Sequence, residues 1–135
     1  MLARRAGLIV LGAALLGLGG CDHRDDSLTG VWTGAFRDNL GGLGGGNLTF
    51  TQQSGAVVQG SWSAFFKTFG ALAKFNNSGA LTGTLDGDTI AGMLSSQGPC
   101  SFSFQATRSG LQMSGTYAAV NCAFVETGSF DLEKQ

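Results

Sequence analysis

The sequence predicts an all-β chain: an antiparallel up-and-down meander of about eight strands closing into a barrel, with a two-sheet β-sandwich as the competing architecture. Three observations carry this expectation. Apolar and polar residues alternate with period two through most of the chain, which outweighs any helical period. A glycine followed two residues later by a large apolar side chain recurs, as TGVW at Thr29, QGSW at Gln59, TGTL at Thr82, AGML at Ala91, SGTY at Ser114 and TGSF at Thr127. The chain also holds 23 Gly and 10 Phe against one Pro. That balance suits pleated strands and tight turns better than helix interiors.

Turn signals divide the alternating runs into strands near Gly30 to Arg37, Asn47 to Gln53, Val57 to Ala64, Gly79 to Leu85, Thr89 to Ser95, Cys100 to Thr107, Leu111 to Ala119 and Phe124 to Glu133. Within them Val58, Gly60 and Trp62 share one face, as do Leu81, Gly83 and Leu85, and Met113, Gly115 and Tyr117. Asp86-Gly87 is the strongest hairpin signal, expected to place two central residues at positive φ. Ser54-Gly55 and Ser109-Gly110 are weaker versions. Successive hairpins without a crossover helix make a meander, and closure leaves no bare edge. The inward glycines are expected to relieve crowding where the sheet curls and neighbouring rings approach.

Two segments interrupt the rhythm. Asn39 to Asn47, NLGGLGGGN, reads as a mobile glycine-rich loop, and it lacks the Lys-Ser/Thr of a phosphate-binding loop. Ala64 to Phe75 places Phe65, Phe69 and Leu72 at helical spacing, so a short amphipathic helix is expected there. Such a helix would serve as a cap on the barrel, a lip over a ligand mouth or a patch against lipid.

The first residues describe an export signal. Arg4 and Arg5 precede an apolar and glycine run from Ala6 to Gly20, shorter than the roughly 20 apolar residues a membrane-spanning helix needs. Leu18-Gly19-Gly20-Cys21 resembles the bacterial lipobox. The resemblance implies that residues 1–20 are removed and Cys21 carries lipid. Residues 21–28 would then form a short tether, with residues 29–135 the barrel. Asp22 resembles the inner-membrane retention signal of enterobacterial lipoproteins, and the choice of membrane is left open. The tether from Asp22 to Ser27 reaches about 20 Å at full extension, which keeps the domain near the bilayer.

The cysteine count agrees with export. Three cysteines would leave one unpaired; with Cys21 lipidated, Cys100 and Cys122 are free to form a disulfide in an oxidising periplasm. Two buried free thiols are the alternative. A metal site is not expected, because the only histidine is His23 and no Cys-x-x-Cys occurs. Charge excludes another class of partner. With Arg4 and Arg5 removed and the terminal amine acylated, the net charge is about −3, unsuited to nucleic acid.

LTGVWTGAF at the start of the domain, the repeated Gly-x-Trp and GTY strands, and the closing TGSFDLEK resemble the lipocalin-like and avidin-like calycin barrels found in bacterial lipoproteins. The resemblance spans Leu28 to Lys134 and implies a barrel that can hold a small ligand. The polar groups with which avidin-like proteins hold biotin have no residue-by-residue match here, so biotin is not implied.

Catalysis is not expected, since no histidine lies in the domain to work with its serines or cysteines. Asp86 and Asp88 flank a turn, and Asp131 and Glu133 alternate outward. Glu126 alone among the carboxylates shares the inner phase, with Gly128 and Phe130. The sequence therefore leaves two function classes and no cofactor. The first is a membrane-anchored, non-catalytic interaction or accessory lipoprotein of the envelope. The second is a binding module for a small hydrophobic ligand, with Trp32, Phe50, Trp62, Phe104, Tyr117 and Phe130 as candidate lining residues.

Overall fold

The eight runs of alternating residues become eight strands. A computed structural model describes residues 27–39, 41–68, 74–96, 100–122 and 125–135. The strands are β1 (Gly30–Asp38), β2 (Gly42–Ser54), β3 (Val57–Thr68), β4 (Lys74–Asp86), β5 (Thr89–Ser95), β6 (Ser101–Ser109), β7 (Gln112–Val120) and β8 (Thr127–Lys134). Each pairs antiparallel with the next, and β8 returns to β1, with Phe36 opposite Phe130 and Trp32 opposite Lys134. That last ladder closes the barrel and excludes the sandwich. No helix occurs among the described residues.

Three two-residue turns mark one end of the barrel. They are Gly55-Ala56, Gly87-Asp88 and Gly110-Leu111, lying between the paired ends Ser54 and Val57, Asp86 and Thr89, and Ser109 and Gln112. Only the glycine of each has positive φ, at 61°, 63° and 64°. This is the type II′ pattern, whose twist matches the flanking strands. The Asp86-Gly87 turn therefore differs from expectation: Asp86 stays in the ladder and the turn sits one residue later.

The chain crosses this end before β1 begins and seals it. Leu28 is buried, and the Trp32 indole N–H donates to its carbonyl at 2.9 Å. The Lys134 ammonium donates to the Ser27 carbonyl at 2.6 Å and lies 5.9 Å from the Trp32 ring centroid. Above this floor Leu48, Phe50, Val58, Leu81, Ile90, Met113 and Phe130 are buried almost completely.

The glycine-rich stretch is strand rather than mobile loop from Gly42 onward. Gly44 pairs with Phe36 on one side and Phe66 on the other; Gly46 pairs with Gly34 and Ala64. Ladders on both sides offset the entropy that glycine loses on ordering. A Cβ on Gly46 would press on the Phe36 ring at 3.0 Å and on the Ser63 carbonyl. The missing side chains thus make room for their neighbours.

The helix expected over Ala64 to Phe75 does not form where the structure describes it. Ala64–Thr68 completes β3 and Lys74–Phe75 opens β4. Ala64 is buried and Phe65 is 47% exposed, the alternation of a strand. Pairing with β2 and β4 overrides the helical spacing. Phe69 and Leu72 lie outside the described residues.

Candidate functional site

Strand alternation sends Phe36 from β1, Trp62 and Ala64 from β3, Leu94 from β5, Phe102 from β6 and Tyr117 from β7 into the end opposite the tight turns. The rings pack edge to face around the wall. Trp62 and Phe102 centroids lie 5.8 Å apart at 79°, and Phe102 and Tyr117 5.9 Å apart at 84°. Phe36 is tilted against Tyr117 at 6.2 Å and stacks below on Phe130 at 5.3 Å. Two of these rings are pinned by their polar atoms. The Trp62 indole N–H donates to the Ser95 carbonyl at 2.9 Å, and the Tyr117 hydroxyl to the Arg37 carbonyl at 3.2 Å.

These side chains, with Asn77 and Glu126, line a cavity of about 20 Å³ at this end of the barrel. One water needs about 10–15 Å³ on the same measure. The side chains at the base are almost completely buried, while the space left among these residues is that of about one small group.

Glu126 is the buried acid of the domain, 5% exposed. Its position follows from how the strands meet. The Ala119 amide donates to the Glu126 carbonyl at 2.8 Å, which continues the β7–β8 pairing one step beyond β8. The Asn39 side chain accepts from the Thr127 amide at 3.0 Å, while the Asn39 amide donates to the Thr127 carbonyl at 2.8 Å. These bonds fasten the end of β1 to the start of β8 and bring Asp38 to Glu126. The two side chains are hydrogen-bonded, and Asp38 also accepts the Gly42 amide at 2.5 Å.

Burial pushes the Glu126 carboxyl up to about 7, and the charge of Asp38 and its hydrogen bond add to the effect. Burial likewise raises the Tyr117 hydroxyl above its ordinary value, with Glu126 and Asp38 as secondary causes. Close to neutral pH Glu126 can thus hold or release a proton inside a wall that is apolar apart from Asn77 and the Tyr117 hydroxyl. Cys100 and Cys122 form a disulfide at this same end, Cα atoms 4.5 Å apart. It ties the residue before β6 to the segment after β7.

The structure divides the candidate lining residues. Trp62 and Tyr117 face the cavity. Trp32, Phe50, Phe104 and Phe130 are buried but do not line it. The rest of the wall comes from Phe36, Ala64, Asn77, Leu94, Phe102 and Glu126. Their inward phase is readable from the alternation, but phase alone does not tell depth. The signal that finds them is the set of turn motifs Ser54-Gly55, Asp86-Gly87 and Ser109-Gly110, which mark one end of a meander: the cavity lies in the inward positions farthest from them. Cys21 lies outside the described residues.

No protein-family model matches this chain, and no curated protein sequence does. Among solved structures it is similar to EF1p2_mFAP2b bound to DFHBI, with a TM-score of 0.67 and 15% identity, over 80% of this chain and 94% of that one. It is also similar to mFAP1, a redesigned β-barrel bound to DFHBI, with a TM-score of 0.62 and 17% identity, over 79% and 94% of the two chains. A third is the redesigned β-barrel b11L5F_LGL, at 0.61 and 18%, over 80% and 91%. At these identities the likeness concerns the fold: a closed eight-stranded antiparallel barrel.

Proposed function

We propose that this chain is a non-catalytic binding barrel, tethered to the bacterial envelope by lipid on Cys21, that takes a small and largely apolar guest through its open mouth. The observation that carries this reading is the change in packing along the barrel axis. Below Phe36 the described core side chains are almost completely buried; Phe36 and the three aromatic side chains Trp62, Phe102 and Tyr117 border a cavity that also meets one buried carboxyl. A protein that needed the barrel only as a scaffold would gain stability by filling that space. DFHBI is bound by two barrels of similar shape, which supports small-molecule binding as a use of this fold.

The cavity limits how the guest enters. Sites for drug-sized ligands occupy about 300 Å³ or more, so only the leading group of a guest fits among the rings as they stand. The remainder of the guest lies in the mouth. Tethering follows from Leu18-Gly19-Gly20-Cys21 and the apolar run before it.

Tryptophan fluorescence tests the proposal, because Trp62 lines the cavity and Trp32 is sealed at the far end. Small aromatic alcohols and phenols should change the emission saturably, and Trp62→Ala should abolish the response while the chain stays folded. A panel of such probes with no saturable change by fluorescence or calorimetry would sink the reading.

A further inference from the structure

We propose that the mouth cavity recognises the cationic head of a small organic ammonium ion, seated among Phe36, Trp62, Phe102 and Tyr117 and held against Glu126. This rests on the binding reading above and names the chemical class of the guest.

The argument starts from what the wall offers. Trp62 and Tyr117 direct their N–H and O–H to backbone carbonyls, so these side chains offer a guest their rings rather than hydrogen-bond donors. Cations are drawn to such surfaces when they lie within about 6 Å of a ring centroid. The neighbouring rings here are themselves spaced 5.8 to 6.2 Å apart. A head group in the space they border is within that reach of several rings at once.

The acid supplies the second half of the recognition. Glu126 lines the cavity, is 5% exposed and is hydrogen-bonded to Asp38. The titratable groups that face it among the described residues are Asp38 and Tyr117. Neither brings positive charge into the cavity. The charged partner of Arg37 is Asp131, and both of these side chains are well exposed. Among the described residues an anion would meet two carboxyls and no cation. A neutral guest would leave the acid pair as it is. An ammonium group gives Glu126 a counter-ion and donates to it in a charge-assisted hydrogen bond. Its arrival releases the Glu126 proton to solvent, so an ion pair replaces a protonated acid and charge is conserved.

Size agrees with this assignment. About 20 Å³ accommodates one group on the scale of water, and –NH3+ is such a group. The carbon skeleton of the amine would then extend into the mouth.

Benzylammonium and benzyl alcohol, nearly equal in shape, separate charge from burial. The full-length chain in detergent should bind benzylammonium about tenfold more tightly than the alcohol near pH 8. That preference should fall toward pH 5 as Glu126 keeps its proton. Glu126→Gln, which keeps the shape of the protonated acid, should remove the preference and leave benzyl alcohol affinity within about twofold. Equal affinities at both pH values, or a preference unchanged in Glu126→Gln, overturns the inference while the alcohol's binding preserves the broader reading. If neither compound binds, both fall. Should the variant prove unstable, the pH series on the unaltered chain decides: a preference that does not grow with pH overturns the assignment.

Discussion

The Glu126 and Asp38 side chains are hydrogen-bonded to each other at the seam where β8 closes on β1. The folded chain therefore holds a proton that the unfolded chain releases, since burial raises Glu126 from its ordinary 4.5 to about 7. The sign follows from linkage. Stability from the neutral acid is fully present below about pH 4.5 and is lost as pH rises through about 7, the difference being at most about 3 kcal/mol. Denaturant unfolding at a series of pH values should show this decline, and Glu126→Gln should flatten it. A parent and a variant with parallel profiles would refute the effect.

Removing the Cys100–Cys122 bond should loosen the mouth. The cysteines are 22 residues apart, for which loop-closure entropy gives about 3 kcal/mol. In a domain of this size that corresponds to a fall in Tm of roughly 10–20 °C. Thermal melts with and without reductant, and of the Cys100→Ser/Cys122→Ser double variant, measure it. An unchanged Tm would mean that the link constrains nothing the unfolded chain would otherwise explore.

Gly60→Ala should be among the more damaging single-methyl changes. Its Cβ would fall on the Thr49 carbonyl in the neighbouring strand, an atom fixed by the β2–β3 ladder. The expected loss is about 3 kcal/mol, the upper part of the overpacking range. Ser61→Ala, on the exposed outer face, should stay within about 0.5 kcal/mol. Urea unfolding of the two variants makes the comparison.

Cys21→Ser tests the anchor. The parent should fractionate with membranes and carry an acyl mass on a terminal cysteine, and the variant should lose both. A variant that fractionates like the parent, together with a parent free of acyl mass, would overturn the lipoprotein assignment.

Most of the barrel is legible from alternation. β5 occurs at its expected Thr89–Ser95 limits, and β1, β6 and β7 differ by a residue or two. The failures share a cause. Gly42 to Gly46 carries only the Leu43 side chain, too little for a period to be read, and its strand character comes from β1 and β3 on either side. Phe65 fits a helix by spacing yet sits opposite Gly45, where its ring covers a position without a side chain. The same long-range pairing explains the glycines. Gly128 does face the Tyr117 ring, as crowding by aromatics predicts, but at Gly34, Gly60, Gly79 and Gly92 the close neighbour is a carbonyl of the adjacent strand. The cavity was only half legible. Alternation assigns Trp62, Tyr117 and Glu126 to the inside, whereas the Asp38–Glu126 contact depends on barrel closure between residues at opposite ends of the domain.

The seal formed by Leu28 and Trp32 would, under the proposed anchoring and binding, also set a direction of traffic. Ser27 and Leu28 lie beneath the closed end, while Glu126 lies a strand's length away at the other. For a nine-residue strand tilted as in barrels of this size, that separation is about 20–25 Å. If Cys21 is held in a bilayer as proposed, the floor of the barrel would face the lipid and the mouth would face the aqueous compartment beyond it. A guest would then arrive from solution rather than sideways out of the membrane. Leu43, Phe65 and Val125, exposed near the mouth, would meet whatever approaches from that side instead of the headgroups below.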